Sequence, residues 1–234
     1  MNYVAKSDSH YDISMIDFNS IDSINNTIDL LNLISKISYT PRRGLIALSF
    51  KEESVAAHMY KMVLLCIYFQ NKLNLDINLY KCILMCIIHD IAEAYIGDII
   101  PKDNISVNYK HYVEDEVISK ILQSRNHNIC FDNLFVAYNE YTEQKTVESN
   151  LVKFVDKLDF LYEIIRSINK SIEQGSNAES LSDAYSTYKA VLNAIYSHDW
   201  GINADKFLHI IKTINVNFKE CKTLPDFDLG LKKL

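Results

Sequence analysis

The sequence predicts an all-α protein, a helical bundle, and three observations carry that reading. The 234 residues include only 5 glycines and 3 prolines, few punctuating residues for a chain of this length. Leu and Ile dominate the apolar set, and apolar residues recur at helical spacing with short breaks from Ser20 to Phe218. With 48% hydrophobic content the chain can bury one substantial core, which favours a single domain.

The elements follow in order. The first 20 residues are rich in Asp, Asn and Ser and are expected to be a mobile tail ahead of one domain over 21–218. Helical spacing begins with Ile21, Ile24, Ile28, Leu31 and Ile34. In the segment 51–65, His58 lies one turn after Ser54 and one turn before Met62, on an inward-looking stripe. A further helix carries Leu79, Ile83, Cys86, Ile87 and Ile91, with Gly97 and Pro101 as stop signals. Asp156 follows Val152 by one turn in the apolar run 151–162. Gln174-Gly175-Ser176-Asn177 reads as the clearest loop, and 219–234, polar and Pro-containing, as a C-terminal tail.

The chemistry concentrates in the run from Cys86 to Pro101, which sets His89, Asp90, Glu93 and Asp98 in an otherwise apolar stretch. Burying such groups without partners is costly, and a divalent metal suits imidazole nitrogen and carboxylate oxygen together. On the helix that ends in this run, His89 and Glu93 share a face and Asp90 lies about 100° round from His89, so the adjacent pair can approach one ion only from a helix tilted toward it, and further ligands must come from elsewhere. His58 and Asp156 each place a polar group where a core helix wants an apolar one. A three-helix site of His58, His89, Asp90 and Asp156 results. Taken alone, His58 also reads as a satisfied core histidine, and Asp156 as one end of an ion pair with Lys153 or Lys157. The His-Asp pair followed by Glu93 and Asp98 is the specific signal.

Composition removes other classes. A net charge of −6 argues against a nucleic-acid polymer as partner. No apolar run reaches membrane-spanning length, and the first 25 residues do not read as a secretory signal. Five cysteines, an odd number, point to a reducing, cytoplasmic setting, with Cys82 and Cys86 read as small core residues. There is no internal repeat and no glycine-rich phosphate loop, so phosphate must be held by metal, side chains or helix N-termini. His10, His111, His127, His198 and His209 lack ligand spacing and read as surface or structural.

The order His58, His89-Asp90, Asp156 resembles the metal signature of the HD-domain phosphohydrolases. The run His89-Asp90-x-x-Glu93-Ala94-x-x-Gly97-Asp98-Ile99-x-Pro101 is similar to their 5′-deoxynucleotidase branch. So are Pro41-Arg42-Arg43-Gly44, Glu53-Ser54-Val55-x-x-His58-Met59-Tyr60-Lys61-Met62, Asp103-Asn104-Ile105, Lys110-His111, Glu114, Glu140-Tyr141 and Val152-Lys153-x-x-Asp156. His111 therefore stays a candidate for supporting a ligand. Leu45 departs from the pattern: the branch has a tryptophan there.

The resemblance implies an HD-domain fold with a single divalent ion (Co²⁺, Mn²⁺, Zn²⁺ or Fe²⁺) and hydrolysis of nucleoside 5′-monophosphates, deoxyribose forms preferred, by a metal-activated water. It also implies a homodimer. Glu93 is placed to manage the proton, and Arg42 or Arg43 to clamp the phosphate as a guanidinium fork. Asp98 would accept from the sugar 3′-hydroxyl, although an Asp after a Gly also caps turns. Leu45 in place of Trp predicts weak base selectivity. A two-metal or diiron chemistry would need further histidines between the pair and Asp156, and a triphosphohydrolase a His-Asp-x-Gly-His run. The alternatives are a non-catalytic HD scaffold acting through protein contacts, or hydrolysis of another small phosphorylated metabolite.

Overall fold

The computed structural model describes residues 17–50, 53–122, 129–177 and 179–219. Among these the chain forms α1 (Thr27–Tyr39), α2 (Arg43–Ile46), α3 (Val55–Lys72), α4 (Leu79–Ile88) and α5 (Glu93–Ile96). It continues with α6 (Val107–Leu122), α7 (Ile129–Glu143), α8 (Val147–Glu173), α9 (Ser182–Ser197) and α10 (Ala204–Lys219). The one extended pairing among the described residues is an isolated bridge between Pro41 and Ser54. The all-α expectation holds. Most of the expected tails, residues 1–20 and 219–234, lies outside the described residues. At their edges Phe18–Ser20 forms a short 3-10 turn and Lys219 ends α10.

Side-chain caps fix where the helices start. Asn26 accepts from the Ile28 and Asp29 N–H groups, and Asp29 returns a bond to the Asn26 N–H. This cap corrects the stripe expected from Ile21 to Ile34. The helix begins beyond Ile24, whose N–H instead donates to the Ile121 carbonyl at 3.1 Å. The buried face of α1 is therefore Leu33 and Ile37, while Ile28, Leu31 and Ile34 point outward. Ser54 is the cap of α3, accepting from the Ala57 N–H, rather than a residue of its inward stripe. That stripe is Val55, His58, Met59, Met62, Cys66 and Phe69.

α3, α4 and α8 pack on one another, and α7 closes over α4. Cys66 of α3 and Cys86 of α4 meet at 3.6 Å between sulfurs, and with Cys82 they are buried free thiols, small core residues as expected. Phe154 of α8 stacks on Phe207 of α10 at 4.4 Å between centroids, with Trp200 edge-on at 5.6 Å. All three rings are buried, and truncating Phe154 to Ala is expected to cost about 3–5 kcal/mol. α8 ends at Glu173 with Gln174 as its cap, and Gly175 takes φ +91°, the left-handed conformation that closes the expected loop. The core thus locks α3, α4 and α8, the three elements that carry the polar cluster.

Candidate active site

His58 stands in the first turn of α3, on its buried face, and Asp156 projects from α8 opposite it, with its Oδ1 at 3.5 Å from His58 Nε2. The third contribution required a break in the chain. α4 does not run through to Glu93 as expected: it ends at Ile88 with His89 as its cap, and residues 89–92 form a tight turn before α5. Its bonds are of the shorter i→i−3 kind, Ile91 N–H to Ile88 O and Glu93 N–H to Asp90 O. This turn lets two adjacent residues reach one point, which a straight helix sets about 100° apart. Asp90 Oδ2 lies 3.0 Å from His89 Nε2 and 3.9 Å from His58 Nε2. His58, His89 and Asp156 each offer a ligand atom within 4.8 Å of the others.

The hydrogen bonds on the far side of each ring fix what the near side can do. His58 Nδ1 faces the Asp159 carboxylate at 2.7 Å, and His89 Nδ1 faces the Cys86 carbonyl at 3.1 Å. Both partners are acceptors, so both rings donate through Nδ1–H and turn an Nε2 lone pair toward the cluster. Those two Nε2 atoms are buried and have no hydrogen-bond partner. Buried nitrogens of this kind, beside two carboxylates, fit a divalent cation.

Charge at the cluster is strongly perturbed. Burial opposes ionisation of Asp156, but Lys157, His58 and Lys153 outweigh it and hold the carboxyl well below its usual range. Burial likewise opposes ionisation of Asp90, and His89 then His58 bring it down. Burial pushes Glu93 well above the ordinary carboxylate range, and Asp90 and Asp98 push it further. Burial and Arg42 press His58 downward, but Asp156 and Asp159 prevail and raise it.

The two arginines, interchangeable in sequence, separate in space. Arg43 grips Asp103 with both prongs and donates to the Asp98 carbonyl at 2.9 Å. Arg42 is half-buried beside the cluster, where Asp156, Asp90, Asp98 and Asp159 overcome the effect of desolvation and raise its pKa. Its Nη1 is buried without a hydrogen-bond partner. Asp98 does not cap the following turn: its Oδ2 accepts from the Gly44 N–H, at 3.2 Å, tying the end of α5 to the start of α2. Glu93, 5% exposed, opens α5 beside it. Leu45, at 2% exposure, packs inward.

Several neighbours escaped the reading of the sequence. Asp159, Lys61 and Glu163 form a chain of ion pairs behind His58, and the Tyr141 ring packs edge-on against His89 at 5.1 Å between centroids. Asp159 and Glu163 follow Asp156 at positions +3 and +7 of α8, the spacing of one helix face, and that acidic stripe was a readable signal. His111 is exposed and does not back a ligand, and His209 is also exposed. His198 rests against Trp200, at 4.1 Å between centroids, as a structural residue. His10 and His127 lie outside the described residues.

Comparison with known proteins points one way. The family model for the HD domain matches residues 34–200. The chain is 31% identical over 138 residues to the 5′-deoxynucleotidase hdd1 of Schizosaccharomyces pombe, covering 57% of this chain and 68% of that protein. It is 30% identical over 136 residues to the 5′-deoxynucleotidase HDDC2 of Homo sapiens, covering 57% and 64%. Among solved structures it is similar to an HD-domain phosphohydrolase, lin2634, from Listeria innocua: TM-score 0.63, 19% identity, 82% of this chain and 89% of that one. The PH0347 protein from Pyrococcus horikoshii superposes at TM-score 0.59 with 23% identity, over 82% and 99%. At these identities the structures share the fold.

Proposed function

Because this chain belongs to the HD-domain family, we propose that it is a metal-dependent phosphomonoesterase that hydrolyses nucleoside 5′-monophosphates, deoxyribonucleotides foremost, to nucleoside and phosphate. The observation that carries the reading is the pair of buried Nε2 atoms of His58 and His89, which have no hydrogen-bond partner and face the carboxylates of Asp90 and Asp156. These four residues would hold one divalent ion, of a kind the donor set leaves open among Co²⁺, Mn²⁺, Zn²⁺ and Fe²⁺. When bound, that ion supplies Lewis acidity and makes water a better nucleophile.

The remaining work falls to the chain. Arg42, whose buried Nη1 has no hydrogen-bond partner beside the cluster, takes the phosphate oxygens. Glu93, its carboxyl raised by burial and by Asp90, carries the proton that must leave the attacking water or reach the departing 5′-oxygen. Asp98 accepts from the sugar 3′-hydroxyl while the Gly44 N–H holds its other side. Arg43 keeps the loop in place through Asp103 rather than meeting substrate.

The chain also works as a homodimer in the cytoplasm on this reading. An apolar groove of about 470 Å³ between α3 and α8, walled by Leu64, Leu65, Tyr68 and Tyr162, is a face for a second copy to cover. Light scattering on the purified protein reads this directly.

The test of function is phosphate release from a panel of nucleoside 5′-monophosphates with and without Co²⁺ or Mn²⁺. Metal-dependent release is expected. A protein that binds the ion and releases no phosphate from any of them would instead be a scaffold.

A further inference from the structure

One acidic residue lies behind the centre and touches two of its working groups at once. Asp159 is 4% exposed. Its Oδ2 accepts from His58 Nδ1–H at 2.7 Å and lies 3.8 Å from Arg42 Nη1. Its other oxygen meets Lys61 Nζ at 2.8 Å, and Lys61 is itself gripped by Glu53 at 2.6 Å and Glu163 at 3.1 Å. A carboxylate this deeply buried is expensive unless paired, and here cations face both oxygens.

We propose that Asp159 is the positioning residue of the centre: it fixes the tautomer and direction of His58 and draws Arg42 toward the same point, with Lys61 as its anchoring cation. This deepens the phosphomonoesterase reading and rests on it. The physical argument is a contrast between the two histidines. His89 donates to a backbone carbonyl, a neutral acceptor that only orients the ring. His58 donates to a charged carboxylate, which orients the ring and also makes its Nε2 a stronger donor to a cation. Because one oxygen of Asp159 faces both His58 and Arg42, displacing it disturbs the metal-facing nitrogen and the phosphate clamp together. His58 and Arg42 come from chain segments that only the fold brings together, and Asp159 is the group they share.

The test reads metal binding rather than turnover. Wild-type and Asp159→Asn proteins are titrated with Co²⁺, following its visible absorption, and their unfolding without metal is compared. Asp159→Asn is expected to raise the Co²⁺ dissociation constant about 10–100-fold, the usual effect of removing a ligand's outer partner, and to change the absorption envelope. A folded Asp159→Asn with the wild-type constant and spectrum overturns the proposal and leaves the phosphomonoesterase reading standing. Failure of the wild-type protein to bind Co²⁺ overturns both. Should the variant not fold, the Zn²⁺-loaded wild-type protein decides by imidazole ¹H–¹⁵N correlation. A His58 carrying its proton on Nδ1, shifted strongly downfield, supports the role of Asp159, and one bare at Nδ1 overturns it.

Discussion

Arg43 and Asp103 form a two-pronged ion pair, with Nη1 to Oδ2 at 2.7 Å and Nη2 to Oδ1 at 2.8 Å. That geometry saturates the fork that a phosphate would need, and it leaves the neighbouring guanidinium, Arg42, as the one turned toward the histidines and carboxylates of the cluster. Two adjacent arginines thereby divide into one that holds a loop through Asp103 and one that faces the acidic cluster.

Their substitutions should separate accordingly. Arg42→Ala is expected to lower kcat/KM on the order of 10–100-fold, the value of a charged hydrogen bond or two, with a small change in unfolding midpoint. Arg43→Ala should cost about 1–3 kcal/mol of stability, since Asp103 loses its two-pronged ion pair and the Asp98 carbonyl the Arg43 donor. Urea melts and steady-state kinetics on both variants check this, and a reversed pattern would exchange the two roles.

A second prediction separates the four residues proposed to hold the ion from Glu93, proposed to handle the proton. Saturating Co²⁺ or Mn²⁺, at about 100 times its dissociation constant, should stabilise the wild-type protein by about 2.7 kcal/mol. His58→Ala, His89→Ala, Asp90→Ala and Asp156→Ala should lose both that shift and activity, because each removes one donor atom. Glu93→Ala should keep the shift and lose on the order of 10² to 10⁴ in turnover. Calorimetry with and without EDTA reads the first quantity. If Glu93→Ala abolished the metal-induced shift, Glu93 would be a ligand and the proton would need another carrier.

The fold and the polar cluster were legible for the same reason: periodicity of apolar residues marks helices, and a polar residue breaking that periodicity marks a place where something compensates it. His58 on α3 and the His89-Asp90 pair at the end of α4 are such breaks. What escaped was local geometry and distant partnership. The helix start at Thr27 was missed because Asn26 competes for the backbone with its side chain, and the stripe through Ile28, Leu31 and Ile34 proved to face outward. The turn at 89–92 was missed because its residues carry no Gly or Pro. Arg42 and Arg43 were inseparable because only the position of Asp103, 60 residues away, tells them apart.

The pH dependence of stability should carry the mark of Glu114. Burial drives its carboxyl up to about 7 against the pull of Lys110, whose Nζ lies 3.5 Å away, with Asp90 adding to the rise. In the unfolded chain a glutamate titrates near about 4.3. The folded state therefore holds its proton more tightly, so this residue's contribution is full below about pH 4.3 and is lost as pH rises through about 7. Glu114→Gln, which cannot ionise, should gain on the order of 1–3 kcal/mol relative to wild type between pH 5 and pH 8. Thermal melts of both proteins across that range test it, and parallel curves would place the ionisation of Glu114 outside this window.

Substrate choice rests on the sugar end of the site. Asp98 is pinned by the Gly44 N–H at 3.2 Å and stands with Arg42 and Glu93 around the same cluster. A carboxylate fixed in this way can accept from a 3′-hydroxyl, and a sugar site fitted closely around it would exclude the extra 2′-hydroxyl, so dAMP and dTMP are expected to be preferred over AMP. Base discrimination has less to act through, because Leu45 is turned into the core at 2% exposure and presents no flat face on which a base could stack. The kcat/KM values of dAMP and dTMP should therefore agree within about tenfold, the scale of a few missing apolar contacts. Leu45→Trp should not sharpen the preference: the larger ring enters filled space and costs about 1–3 kcal/mol in stability. A 3′-monophosphate reverses the positions of phosphate and hydroxyl, so it cannot satisfy Arg42 and Asp98 together and should be hydrolysed far more slowly. Equal hydrolysis of 5′- and 3′-phosphates would sink the 5′-nucleotidase assignment, whereas equal rates on dAMP and AMP would remove only the role of Asp98 and leave a broader phosphomonoesterase.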